Sequence, residues 1–132
     1  ILRTADGAGV DGVIVCDKAA DIFNPNCIRA SQGTVFAVPV TQTDNKTALA
    51  FLAQERCQVV AALPSGKSLY TAVDYKKPTA IVLGREDAGL SDFWIKACDV
   101  QVKIPMKGEG DSLNVSVAAA LLVYEVFRQR GG

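Results

Sequence analysis

The chain of 132 residues contains no histidine, and this absence excludes several kinds of site. Serine–histidine and cysteine–histidine nucleophile pairs both need an imidazole as the base, and histidine is the commonest metal ligand. The cysteines are also isolated from one another, without a C-x-x-C pair, at Cys16, Cys27, Cys57 and Cys98. We therefore expect no metal site, and reduced thiols of the kind found in cytoplasmic proteins.

Long apolar runs and an excess of charge are missing as well. The longest apolar stretch, residues 117–124, is well short of the roughly 18 residues that a membrane span needs. Fourteen basic residues balance fourteen acidic ones, which argues against coating nucleic acid through bulk charge but leaves room for a local basic patch. The sequence starts with Ile-Leu-Arg-Thr, without methionine or a signal peptide, as expected of a chain whose earlier part is absent.

Short apolar segments alternate with helical patterns along the chain. The predicted strands are residues 12–16, 34–38, 58–63, 79–83 and 100–104. The predicted helices are residues 25–30, 44–56, 91–97 and 114–130. Most of the strands are continuously apolar, which is typical of strands covered on both faces. The pattern predicts one α/β domain over residues 1–132, with a mainly parallel sheet and helices on both faces.

Three of the predicted strands end in unusual loops. The strands at 58–63, 79–83 and 100–104 are followed by Pro-Ser-Gly-Lys-Ser, Gly-Arg-Glu-Asp-Ala-Gly-Leu-Ser and Pro-Met-Lys-Gly-Glu-Gly-Asp-Ser-Leu-Asn. Ligands of parallel sheets bind outside the carboxyl ends of the strands, so three such loops could build one pocket. Taken singly, each loop is better explained as an ordinary turn.

Residues 61–68, Ala-Ala-Leu-Pro-Ser-Gly-Lys-Ser, come close to a phosphate-binding loop of the form G-x-x-x-x-G-K-[ST]. The first glycine of that motif is replaced by Ala61, inside an apparent strand, and the residues after the loop look extended rather than helical. We therefore reject a nucleoside triphosphatase. Lys67 remains a candidate for contact with a phosphate.

Single polar residues in the other loops have simple structural explanations. Ser112 suits the N-cap of the last helix, although Asn114 inside its first turn is a mediocre helix former. Glu86 reads as a solvated loop acid, Arg3 as a surface arginine and Arg29 as half of a surface ion pair.

Together, however, these segments resemble the SPOUT superfamily, specifically the SpoU/TrmH-type RNA ribose 2′-O-methyltransferases. The second motif of those enzymes, L-G-x-E-x-x-G-[LM], matches residues 83–90, and the third, I-P-M-x-G-x-x-x-S-L-N-V-S-x-A, matches residues 104–118. The first, N-x-G-x-x-x-R-T-A, is matched only by its end, because its asparagine and glycine would precede residue 1.

The resemblance implies an α/β fold with a C-terminal deep trefoil knot, in which S-adenosyl-L-methionine binds. By motif position, Gly84, Ile104 and Leu113 would contact this cofactor, with Leu63 and Met106 close by. The resemblance also implies a homodimer that packs through the last helix, whose apolar residues occupy several faces.

The implied reaction moves a methyl group from a sulfonium to a ribose 2′-hydroxyl of tRNA or rRNA. Arg3 would orient the hydroxyl and a phosphate and stabilise developing negative charge. Ser112 and Asn114 would hold Arg3 and the ligand in place, and Glu86 would orient a basic group or its loop. The candidates for RNA backbone contacts are Arg29, Lys67, Arg85 and Lys107.

Two other functions remain open from the sequence. One is a knotted RNA-binding module, or a truncated domain, without catalytic activity. The other, a more distant alternative, is a generic nucleotide-binding α/β protein.

Overall fold

The computed structural model describes residues 12–16, 40–84, 90–106 and 115–131. The strands in these ranges are β1 (Val13–Cys16), β2 (Val40–Thr43), β3 (Gln58–Ala62), β4 (Ser68–Leu69), β5 (Thr79–Val82) and β6 (Val100–Lys103). The helices are α1 (Asn45–Gln54), α2 (Asp92–Ala97) and α3 (Val115–Gln129), with a 3-10 turn at Tyr70–Ala72. In the described part of the chain, no helix has the length and apolar character needed to cross a bilayer.

All the strand pairs among the described residues are parallel. β1 pairs with β2, and the other four strands form a sheet in the order β4-β6-β3-β5. Because consecutive strands of a parallel sheet need crossover connections, helices lie between many of them. The α/β class with a parallel sheet, predicted from the sequence, is confirmed.

Alternating residues of β3 enter two different cores. Val59 packs with Ala48 and Leu52 of α1 and with Trp94 of α2. On the opposite face, Val60 belongs to a second cluster made with Tyr75, Val102 and Leu122. Helices therefore cover both faces of the sheet, which explains why β3 is apolar at nearly every position.

Four predicted strands agree with the structure to within one residue at each end. The remaining predicted strand (34–38) and the helix predicted at 25–30 lie outside the described residues. β2 has no counterpart among the predicted strands, because its Thr-Gln-Thr residues lack the apolar run that marks the others. The extended segment predicted after Lys67 is wrong in part, since Tyr70–Ala72 forms a 3-10 turn. Ser91 occupies the N-cap of α2, but its side chain makes no capping hydrogen bond.

Both ends of α1 are held by local hydrogen bonds. The Thr47 backbone N–H donates to the Asp44 carboxylate at 2.7 Å, which lowers the pKa of that carboxyl group. At the other end, the N–H of Cys57 donates to the Leu52 carbonyl oxygen at 2.9 Å. Arg56, between them, takes a left-handed conformation with φ 56°. This is a Schellman motif with arginine at the position where glycine is usual, and it turns the chain directly into β3.

The connection from β3 to β4 passes from one side of β6 to the other. Val102 of β6 is paired with Ala62 on one side and with Ser68 on the other. Only a glycine fits at the crossing: a Cβ on Gly66 would lie 2.4 Å from both the carbonyl carbon and the oxygen of Val102. The N–H of Leu63 also donates to that oxygen, at 3.0 Å. The crossover is therefore packed directly on the backbone of β6.

The end of α3 clamps the segment that leads into β5. The Gln129 side chain accepts a hydrogen bond from the Tyr75 N–H at 2.8 Å and donates to the Val73 carbonyl oxygen at 2.9 Å. Gln129 also donates to the Glu125 carboxylate at 3.0 Å. Arg128 binds the same carboxylate through two N–H groups, at 2.7 and 2.8 Å. These hydrogen bonds, led by those of Arg128, lower the pKa of Glu125 to about 2.

Candidate functional site

A cleft opens where the chain leaves β3 and β6. Because these strands are parallel, their carboxyl ends lie at the same edge of the sheet. The cleft has a volume of about 350 Å³. Its described lining residues come from the crossover and from the end of β6: Pro64, Leu69, Lys103, Ile104, Pro105 and Met106. The position is the one that the sequence pattern predicted for a ligand pocket.

Five of the six described lining residues of the cleft are apolar, and the sixth, Lys103, is a cation. Ile104 is half-buried, whereas the side chains of Leu69 and Met106 are 44% and 40% exposed. Large apolar side chains left open to solvent at a concave surface are typical of a ligand site. Lys103, which is also exposed, supplies positive charge at the same edge. The described wall therefore offers apolar surface and one positive charge to a ligand.

Two further predicted cofactor residues, Leu63 and Gly84, lie at the same edge of the sheet as the cleft. Ala61 of β3 is paired with Val82 of β5, and Leu63 and Gly84 each follow two residues later. The exits of β3 and β5 are therefore neighbours, as the three-loop prediction requires. The loop after Gly84 begins outside the described residues.

Sequence reasoning found Ile104 and Met106 but missed four of the residues that line the cleft. The missed residues are Pro64, Leu69, Lys103 and Pro105. A signal for the first two existed, since Pro64 lies inside the segment that was compared with a phosphate-binding motif and Leu69 directly follows it. Leu69 could be assigned to the wall only once β4 was known to pair with β6, a pairing that no local pattern indicates.

The same segment does not form a phosphate-binding loop. Ala61 is fully buried inside β3, so no glycine turn could form there. Lys67 is followed by β4 instead of the helix whose N-terminus would hold a phosphate. Lys67 itself is exposed on the crossover, next to the cleft-lining segment.

Many of the predicted site residues lie outside the described residues. They are the catalytic candidates Arg3, Glu86, Ser112 and Asn114, the cofactor candidate Leu113, and the RNA candidates Arg29, Arg85 and Lys107. The structure thus describes the strand-exit side of the proposed site. Within the described ranges, no group of three or more cysteine, aspartate or glutamate side chains is arranged to hold a metal ion.

Comparison with known proteins places the chain in a family. The model of the SpoU rRNA Methylase family matches residues 1–124. A curated relative, the 23S rRNA (uridine(2479)-2′-O)-methyltransferase of Streptomyces viridochromogenes, is 35% identical over 136 residues, which cover 98% of this chain and 47% of that protein. The 23S rRNA (guanosine(2553)-2′-O)-methyltransferase RlmP of Bacillus subtilis is 33% identical over 126 residues, covering 96% and 51%.

A solved structure agrees with the fold. The SpoU methyltransferase AviRb from Streptomyces viridochromogenes, in complex with the cofactor AdoMet, superposes with a TM-score of 0.94 at 34% identity, over 98% of this chain and 54% of that one. The chain thus spans about half the length of these relatives. The resemblance drawn from the second and third motifs is confirmed: this chain belongs to the SpoU rRNA methylase family.

Proposed function

We propose that the protein transfers a methyl group from S-adenosyl-L-methionine to a ribose 2′-hydroxyl of tRNA or rRNA. The observation that carries this proposal is the position of Ile104 and Met106. Both belong to the third family motif, and both line the cleft at the carboxyl edge of the sheet. The chain would form the catalytic domain of a cytoplasmic enzyme.

The cleft fits the cofactor in size and chemistry. Its volume of about 350 Å³ lies in the range of roughly 300–1,000 Å³ that is typical of small-molecule sites. Ile104, Met106 and Leu69 offer apolar surface to an adenine ring, and Lys103 offers a cation to a carboxylate. We propose that Leu63, Gly84 and Leu113 complete this site. S-adenosyl-L-methionine supplies a methyl group on a sulfonium, an electrophile that needs little further activation.

The residues of the chain then have to orient the ribose and accommodate its charge. We propose that Arg3 holds the 2′-hydroxyl and the adjacent phosphate and stabilises the negative charge that develops on the oxygen. An arginine stays protonated in proteins, so electrostatic stabilisation suits it better than a role as base. The proton of the 2′-hydroxyl would instead pass to a phosphate oxygen of the RNA as the sulfonium C–S bond breaks and the O–C bond forms. Ser112 and Asn114 would position Arg3, and Glu86 would orient a basic group or its own loop.

Contacts with the RNA backbone are proposed for Arg29, Lys67, Arg85 and Lys107. Of these, Lys67 lies in the described part of the chain, where its exposed side chain stands on the crossover beside the cleft. A cation there could bind the phosphate next to the reacting ribose.

The exposed side of α3 supports a homodimer. Four large apolar side chains are open to solvent on this helix: Val117, Leu121, Tyr124 and Phe127, at 47%, 36%, 44% and 41% exposure. At 100° per residue they fall within an arc of about 120°, the width of a packing face. Tyr124 and Phe127 form an edge-to-face ring pair with centroids 5.9 Å apart. We propose that this surface, called here the α3 stripe, packs against a second copy of the chain.

The β3–β4 crossover supports the trefoil knot. After β3 the chain passes to the far side of β6, forms β4, and returns to β5 on the opposite side of β3. β6 therefore lies between two strands of one continuous segment that comes earlier in the chain. This arrangement is compatible with β6 being threaded through that segment.

The test of the proposed function is a methyl-transfer assay with the full-length protein. Labelled S-adenosyl-L-methionine and unmodified tRNA or rRNA should give 2′-O-methylated ribose, located by mass mapping. Asn114→Ala should lower the transfer rate by about 100-fold or more, in the range seen when a group that organises a transition state is removed. Its melting temperature and cofactor affinity serve as controls for folding. An unchanged rate in the variant would refute the role of Asn114, and absence of transfer by the wild type would refute the activity.

A further inference from the structure

A second cleft lies at the opposite edge of the sheet from the first, which we call the cofactor cleft after the ligand proposed for it. Its volume is about 320 Å³, and its described lining residues are Cys57, Lys76, Pro78, Thr79 and Arg130. Gln58 and Thr79 are the first paired residues of β3 and β5, so this cleft lies at the amino ends of the strands. None of the family motifs includes these lining residues. We call it the amino-edge cleft.

The amino-edge cleft carries positive charge that is fixed in place. Arg130 donates from Nε to the Tyr75 carbonyl oxygen at 2.9 Å and from Nη2 to the Lys77 carbonyl oxygen at 2.8 Å. Carbonyl oxygens satisfy these N–H groups without cancelling the charge. Arg128 differs, because it forms an ion pair with Glu125 at 2.7 Å. Within the described residues, Nη1 of Arg130 has no hydrogen-bond partner and no acidic side chain lines the cleft.

Lys76 adds a second, mobile cation. Its side chain is exposed, and the nearby Asp74 carboxylate accepts a hydrogen bond from the Lys76 backbone N–H at 2.9 Å. The Thr79 hydroxyl donates to the Lys77 carbonyl oxygen at 2.8 Å, so it shapes the wall and does not donate to a ligand. An anion in this cleft would thus be held by two N–H-bearing cations, one rigid and one flexible.

A third cation, Arg56, lies at the same edge of the sheet and has an unfavourable backbone conformation. Arg56 directly precedes the lining residue Cys57 and has φ 56°. A residue with a side chain is disfavoured in this left-handed region relative to glycine. The exposed guanidinium therefore occupies a position where a neutral glycine would fold more easily. It adds one more positive charge near the amino-edge cleft, where the acids Asp74 and Asp99 also lie.

We propose that the amino-edge cleft binds a backbone phosphate of the RNA substrate, at Lys76 and Arg130. This inference rests on the proposed function, since it takes RNA as the substrate. β3 has five residues, so the two edges of the sheet are separated by about 16 Å at roughly 3.3 Å per residue. A few nucleotides span that distance. An RNA whose ribose enters the cofactor cleft can therefore place another phosphate at the amino edge.

The test measures RNA binding by the full-length protein with Lys76→Gln, and separately with Arg130→Gln. The probes are labelled tRNA and rRNA transcripts, titrated at several salt concentrations. Each variant should bind roughly threefold to tenfold more weakly near 0.1 M salt, and the slope of log Kd against log salt should fall by about 0.7–0.9, as expected for one lost phosphate contact. Affinity for S-adenosyl-L-methionine should stay unchanged, because the cofactor cleft is at the other edge.

Lys96→Gln is the matched control. Lys96 is an exposed lysine of α2 that does not line the cleft, and the substitution changes the net charge by the same amount. Unchanged affinity and salt slope in both cleft variants, or an equal loss in Lys96→Gln, would overturn the inference. Inorganic phosphate is the second probe. If it shifts the NMR signals of Lys76 and Arg130 while both variants bind RNA normally, the cleft binds free anions and the RNA assignment is wrong. The two proposals can also fail separately. If the variants bind RNA more weakly but the wild type transfers no methyl group, the amino-edge site is supported and the proposed activity is refuted.

Discussion

The Cα of Gly66 faces the backbone of Val102 so closely that a Cβ would lie 2.4 Å from its carbonyl carbon and oxygen. This contact holds the β3–β4 crossover on β6, beside the cofactor cleft. Backbone atoms cannot rotate away as a flexible side chain can, so any larger residue must push β4 and β6 apart. The fit of the crossover thus depends on one glycine.

Gly66→Ala should therefore destabilise the protein by about 2–3 kcal/mol, as typical overpacking does, and should weaken cofactor binding. Urea unfolding measures the first effect and calorimetric titration the second. Gly131→Ala is the control: Gly131 has φ 87° but nothing within 4 Å of its Cβ position, so only the backbone cost of about 1 kcal/mol applies. Equal stability of the two variants would contradict the close contact between Gly66 and the backbone of Val102.

The α3 stripe predicts an effect on association. Leu121→Lys places a charge in the middle of the stripe, where a dimer would bury it without a partner. We expect the wild type to sediment as a dimer at micromolar concentration and the variant as a monomer. Phe51→Lys is the matched control, because Phe51 of α1 is 50% exposed and lies outside the stripe. A monomeric wild type, or a dimer that tolerates Leu121→Lys, would argue against packing through α3.

The hydrogen bonds that Glu125 forms with Arg128 and Gln129 at the end of α3 predict a pH dependence of stability. Glu125 has its pKa lowered from 4.5 to about 2 by its hydrogen bonds with Arg128 and Gln129. A carboxylate with a lowered folded-state pKa stabilises the fold fully above its unfolded pKa, and this contribution disappears as the pH falls from about 5 towards 2. The melting temperature of the wild type should drop over that range. Glu125→Gln should melt lower at pH 7 and show a smaller drop; parallel pH curves would contradict the role of Glu125.

The sequence predicted the sheet better than the path of the chain around it. Strands such as β3 are recognisable because both of their faces are buried, which leaves an apolar run. β4 has only two residues, Ser68 and Leu69, and it exists because the crossover passes β6. Such a strand is a consequence of tertiary structure, so no local propensity indicates it.

The residues of the candidate site also fall into those that the sequence predicts and those that only the fold reveals. Ile104 and Met106 were found through a motif that fixes residue types in one continuous segment. Leu69 and Lys103 line the same cleft through the pairing of β4 with β6. The amino-edge cleft was not foreseen either, because Cys57, Lys76 and Arg130 are distant in the sequence and meet only when α3 folds back along the sheet.

The most direct test of the account is calorimetric titration of the full-length protein with S-adenosyl-L-methionine, comparing the wild type with Met106→Glu. Met106 is 40% exposed at the cleft, so the variant should fold normally while placing an acid against the bound cofactor. We expect the wild type to bind with a Kd in the micromolar range, near −8 kcal/mol, and Met106→Glu to bind at least about tenfold more weakly, a loss of about 1.4 kcal/mol. Phe51→Glu should bind like the wild type. No binding by the wild type, or equal binding by Met106→Glu, would contradict a cofactor site in this cleft.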